Sequence, residues 1–288
     1  DELRYSKSMQ KFVPLYIDIK GRQLRVREVY NYKDHLELTL NHPIKVKTPN
    51  VVLFKAGVDQ ALLTNIIDDK HLIFDGGPHF KVKEGESLHI RDPSLVVGDP
   101  IFCDYEIEKI KKAKEAGFDR FVLSYVESNR EIDEFREYIG NCEVIAKIES
   151  KNGLKYVANE FRKKSNLSLM AARGDLYVEI NKPHDILNAT KSIIEKDPEA
   201  IVGSRMLLSL INQSVPECSD FCELAWLADI GYKRFMLCDG LCLKEEPLAR
   251  AVNAFENFRR SYVDDIVYAK PSNGKGSFYE RMIRKIKV

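Results

Sequence analysis

The feature that most constrains this chain is a strand–helix rhythm that sets in after Phe102. Five short apolar runs follow one another: Phe121-Val122-Leu123-Ser124, Val144-Ile145-Ala146-Lys147-Ile148-Glu149, Leu167-Ser168-Leu169-Met170-Ala171, Ala200-Ile201-Val202-Gly203-Ser204 and Arg234-Phe235-Met236-Leu237-Cys238. Charged stretches between them predict helices near 128–139, 153–164, 184–196 and 219–230. Strands buried on both faces read as unbroken apolar runs, and strand–helix alternation at this spacing builds βαβ units around a parallel sheet. Val13-Pro14-Leu15-Tyr16-Ile17-Asp18 reads as a further strand of the same kind. Several runs end in polar or charged residues. In a (β/α) barrel, such residues lie at the rim formed by the strands' C-terminal ends, where catalytic groups collect.

Residues 28–96 break the rhythm. Leu36-Glu37-Leu38-Thr39-Leu40, Lys45-Val46-Lys47, Val51-Val52-Leu53-Phe54 and Phe80-Lys81-Val82-Lys83 read as short strands, punctuated by Asn41-His42-Pro43, Gly57 and Gly76-Gly77-Pro78. Short strands with turn signals and few helices predict a small β-rich module inserted into the α/β body. The expected organisation is therefore barrel at 1–27 and 97–270, inserted β-rich lid at 28–96, and a linker with a basic C-terminal helix at 271–288. With 45 basic against 44 acidic side chains the net charge is +1, which argues against a nucleic-acid-binding face. No run reaches the ~18 apolar residues of a membrane span. Six cysteines in 288 residues do not make a disulfide scaffold, so the expected home is a reducing cytoplasm.

Two rim segments carry the chemistry. Lys147 and Glu149 are two apart on a strand and so share a face. Ala172-Arg173-Gly174-Asp175 follows the next apolar run and places a second carboxylate in a tight charged turn. Two carboxylates with water and substrate oxygens suit Mg²⁺ or Mn²⁺, which keep few protein ligands. A lysine beside such an ion would stabilise an enolate or a transferring phosphoryl group. A plain salt bridge between Lys147 and Glu149 is the competing account.

Four segments in order resemble the pyruvate kinase family: Ile17-Asp18-Ile19-Lys20-Gly21 with Arg25; Ala146-Lys147-Ile148-Glu149-Ser150-Lys151-Asn152-Gly153; Ala172-Arg173-Gly174-Asp175-Leu176 with Val178-Glu179-Ile180; and Gly203-Ser204-Arg205-Met206-Leu207 with Ser219-Asp220. The resemblance implies a (β/α)8 TIM-type barrel, incomplete at the N-terminus, with a small β-barrel-like lid domain. It implies that Lys147 neutralises the phosphoryl group and the enolate, and that Glu149 and Asp175 hold the divalent metal. Gly174, with Arg173, is expected to face substrate, and Ser204 to stand near the proton that reaches the product methyl group. Asp18 is expected to bind a monovalent cation, K⁺, and Arg25 the nucleotide phosphates. The implied reaction moves a phosphoryl group between phosphoenolpyruvate and a nucleoside diphosphate (ADP/ATP) through a metal-bound pyruvate enolate, as in glycolysis. A homo-oligomer is compatible with it.

The chain also departs from the family. The family's first two barrel strands would precede residue 1, and six strands cannot close an eight-stranded barrel. Ile19 stands where a threonine would help bind the monovalent ion, and Cys238-Asp239-Gly240-Leu241 replaces a Ser-Gly-Glu-Thr turn. These changes spare the metal and enolate residues more than the nucleotide side. Two other functions therefore stand beside the phosphotransferase: a metal-dependent lyase or aldolase acting through a pyruvate enolate, and a catalytically reduced binding or sensor protein. Cys218-x-x-x-Cys222 and Cys238-x-x-x-Cys242 read as buried, inert thiols rather than a metal site. His35, His42, His71 and His79 pair with no nucleophile or metal spacing and read as structural or exposed.

Overall fold

A computed structural model describes residues 13–31 and 34–264. The linker and C-terminal helix expected at 271–288, and residues 1–12 and 265–270 of the expected barrel segments, lie outside the described residues. Two compact units form. Among the described residues, one comprises 13–31 and 34–206 together with Asp229–Cys238; the other comprises Leu207–Ala228 together with 239–264.

In the first unit, β1 (Ile17–Ile19) precedes eight strands of the inserted region: β2 (Val26–Asn31), β3 (His35–Leu40), β4 (Ile44–Lys45), β5 (Asn50–Phe54), β6 (Asp59–Ile67), β7 (His71–Asp75), β8 (Leu88–His89) and β9 (Val96–Val97). The chain then alternates: α1 (Asp104–Glu115), β10 (Arg120–Leu123), α2 (Asn129–Ile139), β11 (Glu143–Ile148), α3 (Lys151–Asn159), β12 (Leu167–Ala172), α4 (Arg173–Glu179), α5 (Asp185–Lys196), β13 (Ile201–Gly203) and, after the other unit's first segment, β14 (Arg234–Met236). The six barrel strands form one open parallel sheet, ordered β1-β10-β11-β12-β13-β14, in the sequence order of the apolar runs. The fold is an incomplete TIM-type barrel with a separate antiparallel β lid, as expected.

Local sequence explains why the helices start where they do. Ser128 caps α2: its hydroxyl accepts from Arg130 N at 3.2 Å, while its own N–H donates to Glu131 at 2.7 Å, a reciprocal capping box. The helix then buries Ile132, Phe135 and Ile139, and Phe135 meets Phe121 edge-on with ring centroids 5.6 Å apart. Ser150 caps α3 by accepting from Gly153 N at 3.0 Å. A Cβ on Gly153 would lie 3.0 Å from the Val126 carbonyl oxygen, so glycine lets this helix start close against the loop after β10. Inside the sheet Val122, Ile145, Met170, Ala172 and Ile201 pack as one cluster. Two-residue periodicity from Ile145 carries Lys147 onto the same inner face and aims Glu149 at the rim.

The lid sheet runs β2-β3-β7-β6-β5-β8 and is antiparallel throughout, and β4 pairs with β9 as a separate ribbon. On β3 the buried residues alternate as Leu36, Leu38 and Leu40, and with Val52, Phe54, Leu63, Leu72 and Phe74 they make the lid's own core. Two readings change. Phe80-Lys81-Val82-Lys83 is not a strand: Phe80 and Val82 alternate into the lid core without ladder partners, and period-two burial alone mimics a strand. Conversely, β2, β6, β7, β8 and β9 are absent from the strands the sequence suggests; along β6 a register shift between Leu63 and Asn65 interrupts the regular alternation.

His42 is fully buried at the base of the lid, its Nε2 2.8 Å from the Gly21 carbonyl oxygen. Burial pulls its pKa below the ordinary 6.5; the carbonyls of Gly21 and Pro100 and the Glu106 carboxylate oppose that, and Arg22 adds to it. A histidine whose folded pKa is depressed contributes stability that is present above 6.5 and lost as pH falls through its folded pKa. His42→Gln should therefore flatten the loss of thermal stability below pH 6.5. Equal slopes for wild type and variant would show that His42 does not titrate with unfolding.

The second unit contains a 3-10 turn at Leu208–Ile211, α6 (Cys218–Asp229, whose last residue belongs to the first unit), α7 (Asp239–Cys242) and α8 (Glu245–Phe258). Asp220 ties its turns together, accepting from Glu217 N at 2.9 Å and from the Ser209 hydroxyl. The thiols expected to be buried are not: Cys218 and Cys222 are exposed on one face of α6, their sulfurs 4.0 Å apart, because that helix buries Leu224 and Leu227 instead. Cys242 is exposed and Cys238 half-buried.

Candidate functional site

The rim of the parallel sheet collects charged side chains from four consecutive strand ends. Lys147, near the end of β11, places Nζ 2.9 Å from Glu149 Oε1, 3.9 Å from Asp18 Oδ1 at the end of β1, and donates to Ser124 Oγ at 3.0 Å beyond β10. Glu149 is only 2% exposed and accepts from Tyr125 N at 2.8 Å. Burial alone would lower the Lys147 pKa, but Glu149, Asp18 and Asp175 outweigh it and raise it, so the ammonium keeps its charge. Burial raises the Glu149 pKa and the Asp175 charge raises it further, against Lys147. The two expected metal carboxylates thus feel one another, while a lysine supplies the local positive charge.

Asp175, in the first turn of α4, is held from the segment between β1 and β2. Gln23 Nε2 donates to Asp175 Oδ2 at 2.9 Å, and Gln23 Oε1 accepts from Arg25 Nε at 2.9 Å. Arg25 therefore reaches the site through Gln23, and it also donates to the Gly85 carbonyl at 2.6 Å. Asp18 also pairs with Lys20. Arg173 is buried, donating to the Ser204 carbonyl at 2.6 Å, so it joins the loops after β12 and β13. A Cβ on Gly174 would lie 3.5 Å from Ser204 Oγ, which sets these two residues side by side.

The loop after β13 is strained: Ser204, Arg205 and Leu207 have φ of 65°, 62° and 53°. Left-handed backbone at non-glycine residues costs of order 1–3 kcal/mol each and gathers at ligand sites. Ser204 N donates to the Met236 carbonyl at 3.1 Å, and the Arg205 guanidinium lies 4.3 Å from the Tyr177 ring centroid.

Four further residues belong to this cluster. His89, on β8 of the lid, is 1% exposed; its Nδ1 lies 2.8 Å from Glu179 Oε1 and 3.0 Å from the Tyr125 hydroxyl, and its Nε2 lies 3.7 Å from Asp175 Oδ1. Glu179 was legible in principle, one helical turn after Asp175 on α4. Nothing local marks Gln23, His89 or Tyr125, because their proximity comes from tertiary packing between segments distant in the chain.

A divalent ion is the group that this donor set suits. Glu149 and Asp175 are rim carboxylates that repel each other, and Mg²⁺ is typically bound by one or two carboxylates with water and substrate oxygens. Among the described residues, no group of three or more His, Cys, Asp or Glu side chains is arranged to hold a metal ion. None of the described helices is long and apolar enough to cross a membrane.

The comparisons with known proteins agree with the geometry. A family model described as pyruvate kinase, barrel domain, matches residues 84–226. The chain is 28% identical over 227 residues to a pyruvate kinase of Methanocaldococcus jannaschii, covering 73% of this chain and 49% of that protein. It is 28% identical over 262 residues to a pyruvate kinase of Thermoplasma acidophilum, covering 83% and 45%. With a pyruvate kinase of Agrobacterium vitis it shares 33% identity over 175 residues, covering 56% and 36%. The chain spans about half the length of the first two of these relatives.

Proposed function

Since its barrel segment belongs to the pyruvate kinase family, we propose that this chain carries the phosphoryl-transfer centre of a pyruvate-kinase-like enzyme, moving a phosphoryl group between phosphoenolpyruvate and a nucleoside diphosphate. The observation that carries the reading is the Lys147 ammonium, 2.9 Å from a buried Glu149 whose pKa is raised by burial and, against Lys147, by the Asp175 charge. Glu149 and Asp175 would hold Mg²⁺ or Mn²⁺, which supplies positive charge beside the substrate's oxygens. Lys147 stabilises the negative charge that grows on the enolate oxygen and on the phosphoryl group in flight; a compact ammonium suits a group that moves. Ser204, beside Gly174, would serve the proton that is exchanged at the enolate's methylene carbon. In this reading Arg25 meets nucleotide phosphate, and Asp18 meets K⁺ after exchanging its Lys20 partner.

Residues 28–96 act as a lid that excludes water from this rim, hinged near Arg27 and Pro93. Limited proteolysis should nick the chain near those two positions before it cuts the barrel strands. Preferred cleavage inside 144–180 would contradict the lid.

The direct test is a coupled assay for pyruvate with phosphoenolpyruvate, ADP, Mg²⁺ and K⁺. Pyruvate release that needs both ADP and the divalent ion is expected. Release without nucleotide would replace the phosphotransferase by a lyase-type enolate enzyme. Ligand binding with no turnover would make it a binding protein.

A further inference from the structure

Resting on the enolpyruvate site of the preceding reading, we propose that Arg205 is the receptor for the carboxylate of the substrate acid. The argument begins with a guanidinium that the fold holds in place and leaves unpaired. Arg205 Nε is buried with no hydrogen-bond partner, and among the described residues no carboxylate pairs with this side chain. What holds it is Tyr177, whose ring centroid lies 4.3 Å from the guanidinium carbon. A ring face attracts a cation but offers it no carboxylate or carbonyl oxygen, so the guanidinium's donors stay available. Neighbouring cations are engaged already: Lys147 by Glu149, Lys20 by Asp18, Arg25 by Gln23, and Arg173 by the Ser204 carbonyl.

The backbone places this side chain beside the site. Ser204 and Arg205 both have left-handed φ, 65° and 62°, a costly conformation for non-glycine residues that gathers where ligands bind. Gly174 and Tyr177 are three apart on α4, so they share a face and are separated by about 4.5 Å of helix rise. Ser204 Oγ stands beside the first, 3.5 Å from where a Cβ would lie, and Arg205 stands over the second. Hydroxyl and guanidinium thus line one face of α4, close enough for one carboxylate to accept from both through bonds of roughly 2.7–2.9 Å. The shape of the donor decides which group it takes. A guanidinium is a planar fork that matches a planar carboxylate at two oxygens, and it suits a group that stays put through the reaction. The phosphoryl group moves, and the compact Lys147 ammonium serves it. Arg205 would therefore select the free acid over its amide or ester and fix the carbon skeleton against Ser204.

The test uses oxalate, a planar dicarboxylate with the shape of the pyruvate enolate, added with Mg²⁺ to the whole chain. In wild-type protein labelled with ¹⁵N-arginine, the Arg205 Nε–H resonance, assigned by its absence from Arg205→Lys, should shift as oxalate saturates. That readout comes from the unaltered protein and so does not depend on how a substitution folds. By calorimetry, Arg205→Met should weaken oxalate at least tenfold while leaving Mg²⁺ affinity unchanged, and Arg205→Lys should recover only part of the loss because an ammonium lacks the fork. A resonance that ignores oxalate, with oxalate binding lost in Glu149→Gln and Asp175→Asn, overturns the role of Arg205 and leaves the metal and enolate site standing. A resonance that answers inorganic phosphate but not oxalate overturns the carboxylate assignment. Oxalate that binds Glu149→Gln and Asp175→Asn as tightly as wild type overturns the enolate site itself, and one that fails to bind wild type overturns both.

Discussion

Lys147→Met is expected to lower turnover of phosphoenolpyruvate by about 10²–10³, roughly 2.7–4 kcal/mol of transition-state stabilisation. Nζ lies against Glu149, Asp18 and Ser124, so the ammonium is held in place before substrate arrives. Charge that is already oriented costs no reorganisation at the moment of reaction, and methionine preserves the side chain's length without it. The substitution has a second, separable consequence. Glu149 is 2% exposed, and without Lys147 its carboxylate keeps the Tyr125 N–H but loses its cation. The metal-free variant should therefore melt below wild type, and Mn²⁺ should restore most of the difference by supplying the missing positive charge. Mn²⁺ affinity should not fall, since Glu149 and Asp175 remain. Turnover within a few-fold of wild type would remove Lys147 from the mechanism.

Glu149→Leu is expected to destabilise the fold by about 3–5 kcal/mol, the usual cost of removing one partner of a buried ion pair. The Lys147 side chain is 14% exposed and would keep only Asp18 at 3.9 Å as a nearby carboxylate, and Tyr125 N would lose its acceptor. The informative companion is the double variant Lys147→Met with Glu149→Leu. Replacing both charges by apolar groups removes the stranded ion, so the double variant should be more stable than Glu149→Leu alone while binding no metal at this site. Chemical denaturation of the four proteins measures the coupling. A Glu149→Leu variant within 0.5 kcal/mol of wild type would mean that the pair is effectively solvated and that Lys147 is not preorganised.

The two variants separate what a rim residue does for the fold from what it does for the reaction. Burial and the Asp175 charge both disfavour the ionised form of Glu149, and a cation beside it offsets them. Lys147 plays that part in the structure, and a divalent ion would share it in the proposed enzyme. Stability and function therefore meet in the same few side chains, a common condition at catalytic sites.

Much of the barrel was legible because its causes are local. Six apolar runs became six neighbouring parallel strands in chain order, and the helices expected near 128–139 and 153–164 start at Asn129 and Lys151, where Ser128 and Ser150 cap them. Lys147 and Glu149 were readable as one face because two-residue periodicity is a property of any strand. The lid was less legible: β6 carries a register shift that blurs its pattern, and Phe80 and Val82 imitate a strand while pairing with none. The site's remaining members were not readable at all. Gln23 meets Asp175 across 152 residues of chain, and His89 meets Glu179 across 90. Periodicity and capping act over a few residues, so the sequence by itself determined the strands, the helix starts and the charged rim. Which lid side chains close on that rim was decided only by tertiary packing, where two surfaces distant in the chain bury one another and their polar groups must find partners.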